Sequence, residues 1–231
     1  MLKRLQRFDG ILFDMGDVFY DATTWRRWLT AELNSRDIGC TYDNLVVRWE
    51  RLLVDVYCGR ASYWERFTTL LSSFSLPDSA ALEVTKAARE CAEAVTRRRR
   101  LFDGVAHTLA QLHELGVRLG VLTDTELPGR RIRGTLDSLG IGHSFHAVVS
   151  SHDIGHAKPE RAAFDAAVIA LSVDPGRCAF VGHDAEELHG AGESGLYTIA
   201  YNFANGVTAD VYLKDFADLI GIVVPNTIPT A

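Results

Sequence analysis

Phe8-Asp9-Gly10-Ile11-Leu12-Phe13-Asp14-Met15-Gly16-Asp17-Val18-Phe19-Tyr20 is the stretch whose reading decides the fold. Ile11, Leu12 and Phe13 form a short apolar run that breaks on Asp14. A tight Met-Gly-Asp bend follows, and the chain turns apolar again at Val18-Phe19-Tyr20. A bounded apolar run of this length fits a buried strand of a parallel sheet. In open α/β sheets ligands bind outside the carboxyl ends of the strands, which is where Asp14 falls. An isolated Asp at such a place would only cap a loop. Its significance depends on what other segments bring to the same sheet edge.

Working outward, residues 21 to about 100 carry helical periodicity and no convincing strand. Thr23 or Thr24 is expected to cap a helix through Trp25, Trp28, Leu29 and Leu33. Asp43 is expected to cap a second, with Leu45, Trp49, Leu52, Leu53 and Val56 on its buried face. Ser62 opens a third, and Pro77, in a first-turn position, a fourth. From Leu101 onward helix and strand alternate: helix 107–115, strand 117–122, helix 128–139, strand 145–150, helix 159–171, strand 178–181, helix 185–194, strand 197–201 and helix 214–220. Alternation of this kind implies a parallel sheet flanked by helices. The expected architecture is α/β: a Rossmann-like, three-layer core over residues 1–20 and 101–231, with a smaller all-helical cap inserted over 21–100.

Composition narrows the function class. The 231 residues carry a formal charge of −6, which gives no electrostatic reason to expect nucleic acid or an anionic membrane as partner. No apolar run reaches the roughly 18 residues of a membrane-spanning helix. Lys3, Arg4 and Arg7 precede no apolar core of signal-peptide length. Cys40, Cys58, Cys91 and Cys178 are scattered without a Cys-x-x-Cys pair and read as reduced thiols. The expectation is a cytoplasmic protein with a small-molecule ligand. Nothing in the sequence speaks to its oligomeric state.

Four strand ends converge on chemistry: Asp14, Thr123, Lys158, and the group His183-Asp184-x-Glu186-Glu187. A carboxylate at a strand tip acts as a nucleophile when nearby charge and hydrogen-bond donors organise the attacked group. Thr123 can donate to a phosphoryl oxygen and Lys158 can neutralise a tetrahedral anion. The acidic group after Val181-Gly182 can hold a divalent cation that offsets repulsion between Asp14 and an anionic substrate.

At these positions the chain resembles the haloacid dehalogenase-like hydrolase superfamily. The resemblance rests on Phe13-Asp14-Met15-Gly16-Asp17-Val18, Leu122-Thr123-Asp124, Gly155-His156-Ala157-Lys158-Pro159 and Phe180-Val181-Gly182-His183-Asp184. Leu101-Phe102-Asp103-Gly104-Val105, Gly190-Ala191 and Gly195 add context. It implies a phosphatase acting on a small phosphomonoester through an aspartyl-phosphate on Asp14, with Thr123 and Lys158 binding the transferred group. Gly16, Asp17, Tyr20 and Asp124 would touch substrate. Mg²⁺ would be held by Asp14, the backbone carbonyl of Gly16 and some of His183, Asp184 and Glu187.

Two positions depart from the family pattern. Gly16 stands where the family's phosphatases carry a second Asp that protonates the leaving oxygen, leaving the neighbouring Asp17 as either a loop-stabilising acceptor or a substitute acid. His183 stands where a metal-binding Asp is usual, and an imidazole suits Mg²⁺ poorly, which leaves another divalent metal, or none, as the alternative. Two other readings follow: a non-catalytic relative that binds a ligand or partner, and a metal-independent dehalogenase attacking carbon. The run Arg97-Arg98-Arg99-Arg100 reads as a solvated helix end in preference to a device for capturing an anionic substrate.

Overall fold

The computed structural model describes residues 8–224; the first and last seven residues, assigned above to the ends of the core, lie outside the described residues. Six strands form one sheet: β1 (Gly10–Phe13), β2 (Arg118–Thr123), β3 (Ala147–Ser150), β4 (Cys178–Gly182), β5 (Tyr197–Ala200) and β6 (Val211–Tyr212). The spatial order is β3-β2-β1-β4-β5-β6 and every pairing is parallel. β1 is therefore central, with Phe13 in register with Val121 on one side and Val181 on the other.

Side chains alternate across a strand, so a central strand covered on both faces must be apolar throughout. Ile11 and Phe13 enter one core with Val105, Leu109, Leu112 and Phe216. Leu12 enters the opposite core with Phe164, Phe180 and Leu188. The first core lies beneath α5 (Val105–Glu114), α6 (Gly129–Ser138) and α10 (Leu219–Val223), and the second beneath α8 (Arg161–Leu171) and α9 (Ala185–Glu193). The three-layer α/β arrangement expected from sequence is the one observed.

The segment after β1 folds as α1 (Thr24–Asn34), α2 (Tyr42–Tyr57), α3 (Tyr63–Ser72) and α4 (Asp78–Arg98). These helices enclose a separate apolar cluster in which Trp49 stands edge-on to Tyr63 and Phe67, with centroids 5.1 and 5.9 Å away.

Several local expectations change. Thr41, not Asp43, caps α2, because its side chain accepts the Asn44 N–H while Asp43 sits inside the first turn. Thr23 precedes α1 without a side-chain cap bond; Asp21 instead accepts from the Thr23 and Thr24 hydroxyls and the Thr23 N–H. Pro77 is the residue before α4 rather than in its first turn, and Pro159 precedes α8, following Lys158 through a cis peptide bond. The short helix α7 (Ser151–Ile154) and β6 were not anticipated. The expected helix 214–220 is a 3₁₀ turn over Phe216–Asp218 continued by α10.

One close approach fixes the site's geometry. α9 crosses the Lys158-Pro159 segment at Gly190, where an added Cβ would lie 2.6 Å from the Pro159 carbonyl oxygen and 2.7 Å from its Cβ. Backbone cannot yield as a flexible side chain does, so Gly190→Ala is expected to overpack this contact and cost about 1–3 kcal/mol. A urea midpoint equal to wild type would contradict the close packing of α9 on Lys158-Pro159.

Candidate active site

The central trio turns polar at its carboxyl ends, at Asp14 just after β1, Thr123 at the end of β2 and His183 just after β4, where the apolar core gives way to the cleft. Asp14 follows β1, its N–H donating to the Val181 carbonyl at 3.0 Å, and remains only 6% exposed. Thr123 ends β2 and is buried. Lys158 arrives from the loop after α7, and its side chain is 1% exposed.

Lys158 is the hub. Its Nζ donates to Asp14 Oδ1 at 2.5 Å and to Glu187 Oε2 at 2.9 Å. Burial works against the ammonium's charge, but the carboxylates of Asp14, Glu187 and Asp124 outweigh it and hold Lys158 above the ordinary lysine range. Burial pushes Glu187 up, with Lys158 pulling the other way. Lys158 thus stays protonated at neutral pH. Asp124 acts on the backbone: both its oxygens accept the Lys158 N–H at 3.2 Å. Burial first, then its acidic neighbours, push Asp124 up to about 6 against the pull of Lys158. The sequence expectation placed Asp124 against substrate; the structure adds that it braces the lysine.

The Met-Gly-Asp bend is a closed loop. Asp17 adopts φ 54°, its N–H donates to the Tyr20 carbonyl at 2.8 Å, and its Oδ1 accepts the Ala22 N–H at 2.9 Å. That engagement is the loop-stabilising role. Gly16 packs closely on the entry to α1, since a Cβ there would meet Ala22 Cβ at a tight 3.0 Å. Tyr20 is buried, which lifts its phenol to about 12 against the opposing charge of Arg99.

His183 and Asp184 part company. His183 Nε2 lies 3.6 Å from Asp14 Oδ2, too long for a hydrogen bond but close enough for charge attraction when the ring is protonated. Asp184 is the N-cap of α9, accepting the N–H groups of Glu186 and Glu187 at 2.9 and 3.1 Å. With one Asp184 oxygen committed to the helix, Glu187 to Lys158, and an imidazole at 183, the donor set does not fit Mg²⁺, which demands a near-octahedral shell of oxygens. Among the described residues no group of three or more His, Cys, Asp and Glu side chains is arranged to hold a metal ion.

Above Asp14 opens a cavity of about 660 Å³. Its floor includes Asp14, Gly16, Thr123, Lys158, His183 and Glu187, so the four motifs do meet. Its roof comes from the helices, through Arg26, Trp49, Glu50, Tyr57 and Tyr63 among others, and from Arg99 just beyond α4. Sequence reasoning missed these roof residues as site residues. Helical periodicity marks which face is buried, not which part of that face meets a cleft. Arg26 is paired with Glu50 at 3.5 Å.

A family model described as haloacid dehalogenase-like hydrolase matches residues 8–195. A phosphoglycolate phosphatase of Salmonella paratyphi A is 26% identical over 238 residues, covering 95% of this chain and 94% of that protein. A magnesium-bound HAD-hydrolase of Bacillus subtilis superposes with a TM-score of 0.72 at 19% identity, over 94% of this chain and 99% of that one. The L-2-haloacid dehalogenase of Xanthobacter autotrophicus, solved with chloropropionic acid covalently bound, gives 0.63 at 16% identity, over 94% and 98%. The two structural likenesses speak for the fold.

His183→Asp would place a carboxylate beside Asp14 and complete an oxygen set. Mg²⁺ is expected to raise the melting temperature of His183→Asp and to leave that of wild type unmoved. An equal rise in both would show that the natural donor set already takes the ion.

Proposed function

The chain belongs to the haloacid dehalogenase-like hydrolases, and we propose that within this family it is a phosphohydrolase acting on a small phosphomonoester. The observation that carries the reading is the buried Lys158 ammonium, 2.5 Å from Asp14 at the floor of a cavity that Thr123 also lines. In this reading residues 21–100 act as the cap that covers the reacting centre.

The chemistry follows from the positions. Asp14 Oδ2 attacks phosphorus, the ester P–O bond breaks, and its electron pair leaves on the alcohol oxygen. Lys158 and the Thr123 hydroxyl offset charge on the phosphoryl oxygens in the transition state. Water then attacks phosphorus, releasing inorganic phosphate and freeing the Asp14 carboxylate. The alcohol oxygen needs a proton that Gly16 has no side chain to give. His183, 3.6 Å from Asp14 Oδ2, supplies it when protonated. Glu187 and Asp124 act through Lys158, one on its ammonium and the other on its backbone.

Phosphate release from a panel of phosphomonoesters, phosphoglycolate included, tests the proposal. Asp14→Asn keeps the side chain's volume and is expected to lower turnover by about a thousandfold or more. Undiminished turnover would remove Asp14 as the nucleophile. Halide released from 2-chloropropionate, with no phosphate from any ester, would instead establish the dehalogenase reading. Neither product would establish the binding-only reading.

A further inference from the structure

Four arginines in sequence, Arg97 to Arg100, close α4 and return the chain to the sheet. Three behave as a solvated helix end. Arg97 Nη1 pairs with Glu93 at 3.4 Å with both side chains largely exposed, Arg98 is exposed, and Arg100 Nη1 donates to the Arg99 carbonyl at 2.9 Å. Arg99 differs. The helix stops at Arg98, and Arg99 takes an extended conformation, with φ −53° and ψ 136°. Its guanidinium lies 4.1 Å over the ring of Tyr20, and it lines the cavity that holds Asp14.

Two facts make Arg99 stand out among the cations of that cavity. Lys158 is committed to Asp14 and Glu187, and Arg26 to Glu50. Arg99 forms no ion pair among the described residues, and its buried Nε has no hydrogen-bond partner there. A guanidinium carries five donors and no acceptor, and a buried donor left unmatched is costly in a folded protein. Stacking on buried Tyr20 also restricts the side chain beforehand, which lowers the entropy lost when it clasps a ligand.

We propose that Arg99 reads a carboxylate on the organic part of the substrate, while the phosphoryl group sits at Asp14 and Lys158. The inference rests on the phosphohydrolase reading and adds the substrate class: phosphorylated organic acids. A planar guanidinium matches a carboxylate in two parallel hydrogen bonds. A second phosphate fits less well, because the same cavity is lined by Asp21, Glu50, Glu126 and Glu186. One guanidinium balances a single negative charge, and a further dianion would add repulsion.

The test compares phosphoglycolate with its neutral amide, phosphoglycolamide, which keeps size and leaving group nearly constant. Wild type is expected to prefer the acid. Arg99→Met keeps an apolar stem against Tyr20 and is expected to lower the acid-to-amide ratio of kcat/KM about tenfold or more, chiefly through KM. Arg99→Lys is expected to restore part of the ratio, and Arg98→Met to leave it unchanged. An equal loss on both esters in Arg99→Met, or no preference in wild type, would overturn the proposal while the phosphohydrolase reading stands. If no ester is turned over, phosphoglycolate is titrated calorimetrically into Asp14→Asn protein with and without Arg99→Met. About tenfold weaker binding in the double variant would uphold the role of Arg99. Equal binding, or none in either, would overturn it.

Discussion

A lysine ammonium buried between two carboxylates is the constraint on which the rest of the site depends. Lys158 cannot shed its charge among Asp14, Glu187 and Asp124, and those carboxylates cannot remain buried without it. Removing one partner from such a buried group typically costs about 3–5 kcal/mol, because the other is left uncompensated. The fold meets the requirement through three separate elements. β1 supplies Asp14, the loop after α7 supplies Lys158, and the first turn of α9 supplies Glu187. Asp124, at the end of β2, holds the lysine's backbone, and Gly190 lets α9 lie against the segment that carries it.

This arrangement assigns different work to residues that look alike in sequence. Asp14 has one oxygen on Lys158 and the other 3.6 Å from His183, and the second is the oxygen that the proposed reaction uses for attack. Asp17 and Asp184 spend carboxylate oxygens on main-chain N–H groups, one closing a bend and the other starting a helix. Glu187 compensates charge. In the proposed reaction the cation that meets the phosphoryl group is therefore Lys158, with Arg99 lining the same cavity from beyond α4.

Much of this was legible in the sequence because parallel sheets write their strands plainly. The apolar runs ending on Asp14 and Thr123 located both residues at the cleft, and the segment before Pro159 located Lys158. Gly16 and His183 declared themselves by chemistry, since one has no side chain and the other is a nitrogen donor. The capping role of Asp184 had a signal that went unread: an Asp directly before Ala185, with Glu three residues on, is the pattern of a helix N-terminus. The brace from Asp124 to Lys158 joins residues 34 apart and has no local trace. β6 is two residues long, too short for alternation to show. Arg99 was hidden inside a uniform basic run, and only the end of α4 separates it from its neighbours.

The most direct measurement is chemical trapping of the enzyme-bound intermediate. During turnover of a phosphomonoester the protein is quenched, reduced with borohydride and digested, and the peptide containing Asp14 is read by mass spectrometry. An acyl phosphate on Asp14 is reduced to homoserine, and the account predicts homoserine at that position, dependent on substrate. An unmodified Asp14 peptide, or homoserine at Glu187 or Asp124 instead, would contradict it.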